Sequence, residues 1–496
     1  MKNTIKFILI LLLISGSITA QIKRVSPDNL TKSAIFGKAV STFGNWAAIS
    51  APGHDTETQY KCGVVFMYYY SEGEWHTHSS ISPQDAADLK YFGYSVKLTG
   101  NRLFVGATGD NAKGPFSGAV YCYELVNNKW EFKQKIISEG KAAQYFGSSI
   151  TSIGNTLVIG AYLGSGKTAK SGVVYVYKNL LNSWVLSQNL FDENGNDNQQ
   201  FGYDIDMQYE GTIIIGSPKA NGVKEQAGAV YVFDKSVSGY QFVSKLIDPN
   251  GEYGNQFGRS VSLYNNYLAI GSHLSNIQSG TPGTVFLYKK ALNKWELNTK
   301  ISNTYKNKDY FGYDVAISRN YLLVGAPNYN IEDVGNVGSA FLYKNDDGEW
   351  KVIDNIKLVG EKPIDYFGSS VFMDSLNLIV GAHLNGDTDK GAAYISKLSA
   401  ITGETDPLPE YFSLEQNYPN PFNASTRIIY TIKESNITRL ILYDILGRKV
   451  KTLVNELKEP GKYYYNLTSD RLASGVYFYR IEAGNFVDTK KLMLLK

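Results

Sequence analysis

Cysteine is almost missing from this 496-residue chain: Cys62 and Cys122 are the whole complement. They fall in matching strands of neighbouring repeats but at non-equivalent positions, beyond the roughly 7 Å Cα separation that a bridge tolerates. Two buried free thiols are expected, and a disulfide framework is excluded. Charge of one sign is equally lacking. Lys and Arg total 49 against 46 Asp and Glu, and the net +3 is spread along the chain. No basic stripe invites nucleic acid, and no run of like charges makes a solvated tail. Beyond residue 20 no stretch is apolar enough to cross a bilayer as a helix. Gly-x-Ser-x-Gly, His-Glu-x-x-His and phosphate-loop patterns are also missing, so the sequence points to no catalytic residue. What remains is 43% hydrophobic residues with 47 Gly and 37 Tyr. That mixture suits short strands joined by tight turns.

Residues 1–20 read as a signal peptide. Lys2 and Lys6 open it, Phe7 to Ile14 is wholly apolar, and Ser15, Gly16, Ser17 and Ala20 are small. The apolar run is too short for a membrane anchor. Cleavage after Ala20 is expected, with no Cys following to take a lipid. The Sec translocon is then the first partner.

The dominant signal is a repeat. Phe-Gly pairs begin at Phe36, Phe92, Phe146, Phe201, Phe257, Phe311 and Phe367, spaced by 54 to 56 residues. A period of this length marks solenoids or propellers. Each unit divides into four strand-length pieces. An alternating run follows Phe-Gly, then a tight turn such as Gly44-Asn45, Gly100-Asn101 or Gly154-Asn155. A second apolar run ends near Gly-Ala. The third piece opens with Gly, as in GAVYCY from Gly118 and GVVYVY from Gly172, and the fourth usually opens with Trp. Four antiparallel strands repeated seven times predict an all-β, seven-bladed β-propeller of four-stranded blades over residues 21–397. The last repeat lacks a fourth strand. Ser26-Pro27 precedes Phe36 by the same spacing as Ser82-Pro83 precedes Phe92. Residues 22–26 are therefore expected to close blade seven.

The Phe-Gly and Gly-Ala-Pro elements resemble the FG-GAP repeats of integrin α-like propellers. The clearest copies are Phe36-Gly37 with Ser50-Ala51-Pro52, and Phe311-Gly312 with Gly325-Ala326-Pro327. The family's calcium sites lie in an Asp-rich loop between the first two strands. Here that connection is a short turn without an Asp ladder, so no cofactor is expected, calcium included.

Residues 398–411 read as a Pro-bearing linker, and residues 412–496 as seven short strands, a small Ig-like β-sandwich. The latter segment resembles the type A C-terminal sorting domain of type IX secretion. The resemblance rests on Asn417-Tyr418-Pro419-Asn420-Pro421-Phe422-Asn423, Leu442-Tyr443-Asp444-Ile445-Leu446-Gly447-Arg448, Leu472-Ala473-Ser474-Gly475-Val476-Tyr477 and the end from Lys490-Lys491 to Lys496. It implies the type IX translocon and its C-terminal processing protease as partners. The expected location is extracellular, or the outer-membrane surface of a Gram-negative bacterium.

The longest and most varied loops emerge on one face: 53–61, 108–117, 162–171, 218–227, 273–282, 327–337 and 383–390. Tyr162, His273, Tyr329 and His383 are the candidate ligand contacts there, being bulky and near a rim. Asp192, Asn194 and Asn196, and likewise Asn385, Asp387 and Asp389, have the alternate spacing that opens a calcium loop. Both sets lack its closing Glu. The expectation is a monomeric, non-catalytic binding or adhesion module for an extracellular glycan or protein. A secreted propeller hydrolase of polysaccharide or protein is the alternative.

Overall fold

The computed structural model describes residues 22–495 apart from 141, 209–210, 276–282, 292–293, 304–308, 331–334, 354–357, 360–364, 385–389, 403–411, 434–435, 459, 471 and 485. The signal-peptide residues and Asn385, Asp387 and Asp389 lie outside the described residues. Within them the chain is all-β, and the one helix is Leu398–Thr402.

Seven sheets, each of four antiparallel strands in its main path, follow one another along the repeat region. Six are built from consecutive strands. In one of these the fourth strand comes in two pieces, Glu349–Val352 and Leu358–Val359. The seventh sheet joins Phe367–Met373, Asn377–Ala382 and Ala392–Lys397 to the N-terminal Lys23–Val25. There Lys23 pairs with Ile395 and Val25 with Ala393. The innermost strands, starting with Val40–Phe43, pack each on the next, and Phe367–Met373 packs back on Val40–Phe43. The cycle closes without a free seam.

Period-two alternation explains how each inner strand can serve two environments. Val40, Val96, Ile150, Ile205, Val261, Val315 and Val371 are buried between sheets. Residues beside them reach the following sheet, as Ser95 Oγ does in donating to the Gly147 carbonyl and Ser149 Oγ to the Gly202 carbonyl. The repeated Phe-Gly has its own packing reason. Phe36, Phe92, Phe146, Phe201, Phe257 and Phe311 are completely buried, each worth about 2–3 kcal/mol of transfer free energy. Their backbones dock on the Gly that opens the third strand of the preceding repeat. Gly118 has φ +84°, and a Cβ on it would stand 2.1 Å from the Phe146 carbonyl oxygen. Gly391 receives Phe36 in the same way across the closure. Gly118→Ala is expected to lower stability by about 2–4 kcal/mol, from the combined φ strain and clash. A denaturant midpoint equal to that of the unmodified protein would refute this account of the glycine.

Two expectations need correction. The linker does not start at 398: Leu398 and Ile401 bury one face of a short helix against Tyr394, Leu378 and Val380 of the last sheet. Cys62 is not in a strand but two residues before Val64–Ser71, whereas Cys122 lies within Ala119–Val126. Both thiols are free and buried.

The C-terminal segment forms a three-stranded and a four-stranded sheet. One cluster containing Phe422, Tyr430, Leu440, Tyr479 and Leu492 fills the space between them. No residue of that cluster belongs to a core of the repeat region.

Candidate functional site

A cavity of about 460 Å³ runs along the axis that the inner strands surround. Its mouth is made by the residue that follows Phe-Gly in every repeat: Lys38, Tyr94, Ser148, Tyr203, Arg259, Tyr313 and Ser369. These positions sit in or beside the turn that enters each inner strand, where the positive φ of the Phe-Gly glycine redirects the chain. Seven equivalent positions carry two cations, three phenols, two hydroxyls and no carboxylate.

The aromatic and cationic members touch in an arc. Arg259 lies between the rings of Tyr203 and Tyr313, its guanidinium carbon 4.8 and 4.2 Å from their centroids. It also donates a hydrogen bond to the Tyr203 hydroxyl. The Tyr203 ring meets Tyr162 at 5.3 Å, and Lys38 Nζ stands 5.5 Å over Tyr94. On the other flank His273 meets Tyr310 and Tyr313 edge-on at 5.3 and 5.2 Å. Burial, and then the Arg259 charge, pull His273 down to about 3, so its imidazole is neutral. His383 is drawn down to about 3 by burial and then by Lys38. Its Nδ1 is 2.6 Å from Ser369 Oγ. Burial, then the neighbouring phenols, push Tyr162 up to about 12.

One layer deeper the cavity holds carboxylates, and these are already committed. An inner strand is an edge strand, so its outward N–H groups need partners. The preceding sheet supplies them. Val261 N–H donates to Asp204 Oδ2 at 2.8 Å, Leu263 N–H to Asp206 Oδ2 at 2.8 Å, and Val371 N–H to Asp314 Oδ2 at 2.7 Å. Ser41, Ser260 and Ser262 accept from Leu98, Val315 and Ile317 in the same manner. At the closure Thr42 Oγ1 donates to Asp374 Oδ2 at 2.8 Å. These side chains fasten sheet to sheet.

Burial raises all four aspartates. For Asp204 burial, followed by the charge of Asp314, lifts the carboxyl to about 7, outweighing the N–H bonds that favour its ionised form. The folded value thus exceeds the unfolded 3.8. Asp204 supports folding fully below pH 3.8, and that support is lost as pH rises through about 7. Asp204→Asn removes the titration. The stability gap between unmodified and variant protein should shrink by ~2–4 kcal/mol from pH 4 to pH 8, as read by denaturant melts. A gap that stays constant would contradict the assignment.

The structure thus places Tyr162 in the cavity lining, while His273 and His383 stay outside it and touch the mouth residues Tyr313 and Ser369. Tyr329 packs its ring on Phe341 at 5.6 Å and is not among the cavity residues. Asp192 accepts from the Tyr231 hydroxyl at 2.6 Å and from Asn194 N–H at 3.0 Å. Asn196 accepts from Asn221 N–H. Those three residues build a polar turn. Among the described residues no three His, Cys, Asp or Glu side chains gather as a metal site would require. Lys38, Tyr94, Tyr203, Arg259 and Tyr313 went unselected by sequence, although one signal was there: the position after Phe-Gly is the most varied next to an invariant pair.

In the C-terminal segment the sorting motifs hold one another. Asn417, buried, donates from Nδ2 to the Pro419 carbonyl and Thr426 Oγ1. Asn420 Oδ1 accepts from Met493 N–H, and Phe422 N–H donates to the Met493 carbonyl. The first motif is thereby strapped to the strand carrying Lys490 and Lys491. Asp444 caps Leu446 and Arg448 N–H around Gly447, and Tyr477 donates to the Ala473 carbonyl. Pro421, Asn423 and Gly475 are exposed.

The FG-GAP repeat profile matches residues 75–123, 130–177, 184–233, 240–288, 302–343 and 361–396, more than half of the chain. The chain belongs to the FG-GAP repeat family. Residues 416–495 of this FG-GAP protein match the secretion system C-terminal sorting domain. It is accordingly a type IX export substrate destined for the cell surface or the medium. A comparison with curated proteins finds no match. Among solved structures it is similar to PorZ, an essential surface component of the type IX secretion system of Porphyromonas gingivalis, at 12% identity and a TM-score of 0.33. That alignment covers 91% of this chain and 64% of PorZ, so the FG-GAP chain spans under two thirds of PorZ's length. It is similar also to a fungal alcohol oxidase of the AA5 family in complex with copper, at 11% identity and a TM-score of 0.46, covering 96% and 100%.

Proposed function

We propose that this FG-GAP protein is a monomeric, non-catalytic binding module of the cell surface or medium. Its repeat region is read as a seven-bladed β-propeller, residues 21–397, with the helix Leu398–Thr402 packed on it, and its sorting domain as an Ig-like sandwich. The closed cycle of inner strands supports the first reading and the two facing sheets the second. The observation that carries the functional reading is the division of labour along the axis. The carboxylates able to do acid–base work are occupied in joining sheets, while the mouth presents phenols, hydroxyls and cations fixed by stacking. Such a mouth suits recognition: the Ser369 hydroxyl is held by His383 Nδ1, and the carboxylates below are taken up by backbone N–H groups. Tyr162, His273 and His383 join it as ligand contacts. Once outside, the chain is cut between residues 402 and 411 by the processing protease of the secretion system.

A hydrolase is the second reading, favoured by one fact: Asp204 is lifted to about 7 beside Asp314, as paired catalytic carboxyls often are. Printing the exported protein against a glycan and protein array, alongside a panel of chromogenic glycoside and peptide substrates, separates the two. Saturable binding without turnover is the expected result. Turnover abolished by Asp204→Asn would replace the binding reading with the catalytic one.

A further inference from the structure

We infer that the mouth of the axial cavity binds the terminal unit of an acidic glycan, a carboxylated pyranose whose carboxylate meets Arg259 and Lys38. This rests on the binding reading above and names its ligand class.

The sign of the charge comes first. All seven mouth positions are known, and they hold Lys38 and Arg259 with no acid. The acids of the cavity lining are Asp204, Asp206, Asp314 and Asp374, which accept from Val261, Leu263, Val371 and Thr42, and Glu456 of the C-terminal segment; of these the Asp314 charge reaches Arg259. A cationic ligand would face a positive group on either side of the mouth, whereas an anion gains a charge-assisted contact with either. Arg259 is also held ready. Tyr203 and Tyr313 clamp its plane, yet its buried Nε has no hydrogen-bond partner among the described residues. A buried guanidinium N–H left unpaired is costly, and a ligand oxygen would relieve it. His273 repeats the pattern: the residue is only 6% exposed and its Nδ1 has no partner among the described residues.

The rest of the wall decides what carries the carboxylate. Tyr94, Tyr162, Tyr203 and Tyr313 offer ring surface with hydroxyls at the ends, and Ser148 and Ser369 add two more hydroxyls. Hydroxyls both donate and accept, which matches the alternating hydroxyls of a sugar ring, and the phenol faces match its C–H faces. The volume suits a small ligand and excludes a folded partner. The arrangement is also cyclic, so a glycan end entering along the axis meets several repeats at once.

The test uses calorimetric titration of the full exported protein with trigalacturonate, a glucuronate-terminated disaccharide, and galactotriose as the carboxyl-free counterpart. At least one acidic probe should bind tenfold or more tightly than galactotriose. Lys38→Gln, a change to a flexible side chain, and Arg259→Gln should each weaken the acidic probe tenfold and by more than they weaken galactotriose. Melting curves identify any variant that has lost its fold, and Lys38→Gln keeps the test open if Arg259→Gln does. Equal affinity for acidic and neutral probes would overturn the proposal. Indifference to Lys38→Gln, or no binding of either acid at millimolar concentration, would do the same. A neutral glycan or protein found on the array, with binding lost in Tyr203→Ala, would sink this inference while the binding reading stands. No binder of any class would remove both.

Discussion

Removing residues 412–496 will abolish delivery to the surface and medium and leave the repeat region folded inside the cell envelope. The sorting match covers residues 416–495, so the deletion takes away the export address in one piece. Folding should survive the cut. The segment's core cluster, from Leu414 to Leu494, shares no residue with the cores of the seven-sheet region; its loss uncovers only the part of the axial cavity lined by Glu456, Leu457, Lys458 and Tyr463. The same interlocking makes a smaller change informative. Asn420 and Phe422 hold the last strand through Met493 and Leu495, so residues some 70 positions apart form one surface. Asn420→Ala breaks that strap and should cut export without touching the repeats. Immunoblots of medium, surface and periplasm, with a melting curve of the truncated protein, measure both halves. Normal amounts of truncated protein in the medium would end the sorting reading. Intact Lys496 on most exported molecules would end the processing step.

Deleting residues 21–27 is expected to lower the stability of the repeat region by on the order of 3 kcal/mol. It should also make the protein self-associate. Three ladder positions, Lys23 with Ile395, Arg24 with Tyr394 and Val25 with Ala393, disappear from the seventh sheet. Val25, 6% exposed, leaves a core shared with Ile395 and with Ile49 and Trp75 of the first sheet. Its transfer term is about 1.5–2 kcal/mol, and each lost backbone bond adds about 1 kcal/mol or less. Lys23 Nζ, which donates to the Trp75 carbonyl at 2.8 Å, goes as well. The strand Ala392–Lys397 then becomes an open edge, the usual template for pairing with another copy. Thermal melts and size-exclusion chromatography test the two consequences. An unchanged melting temperature in a monomeric variant would show that the N-terminal strand is dispensable.

Much of the architecture was written locally. The Phe-Gly pair recurs because a buried ring must dock on a glycine of the preceding repeat, and that requirement returns in each unit whatever its surroundings. Strand alternation, turn glycines and the four sorting motifs are likewise properties of short stretches, so they could be read in order along the chain. The helix Leu398–Thr402 could not: one apolar pair, Leu398 and Ile401, is too little for a helical period, and only the sheet beneath it makes it a helix with a buried face.

The mouth belongs to the tertiary structure alone. Lys38, Tyr94, Ser148, Tyr203, Arg259, Tyr313 and Ser369 have no shared chemistry, and the Phe-Gly pair before each marks its place in the repeat without marking it as part of a site. They become a site because the cycle brings positions 54 to 56 residues apart to one opening. Arg259 is clamped by rings from the repeats before and after its own. The aspartates show the same dependence in reverse. Asp204 and Asp314 look like spare acids in sequence, but the neighbouring inner strand takes them up as acceptors for its edge N–H groups. Local packing rules determined the four-stranded sheet; contacts between sheets decided which of its polar residues are fasteners and which stay at the opening of the cavity.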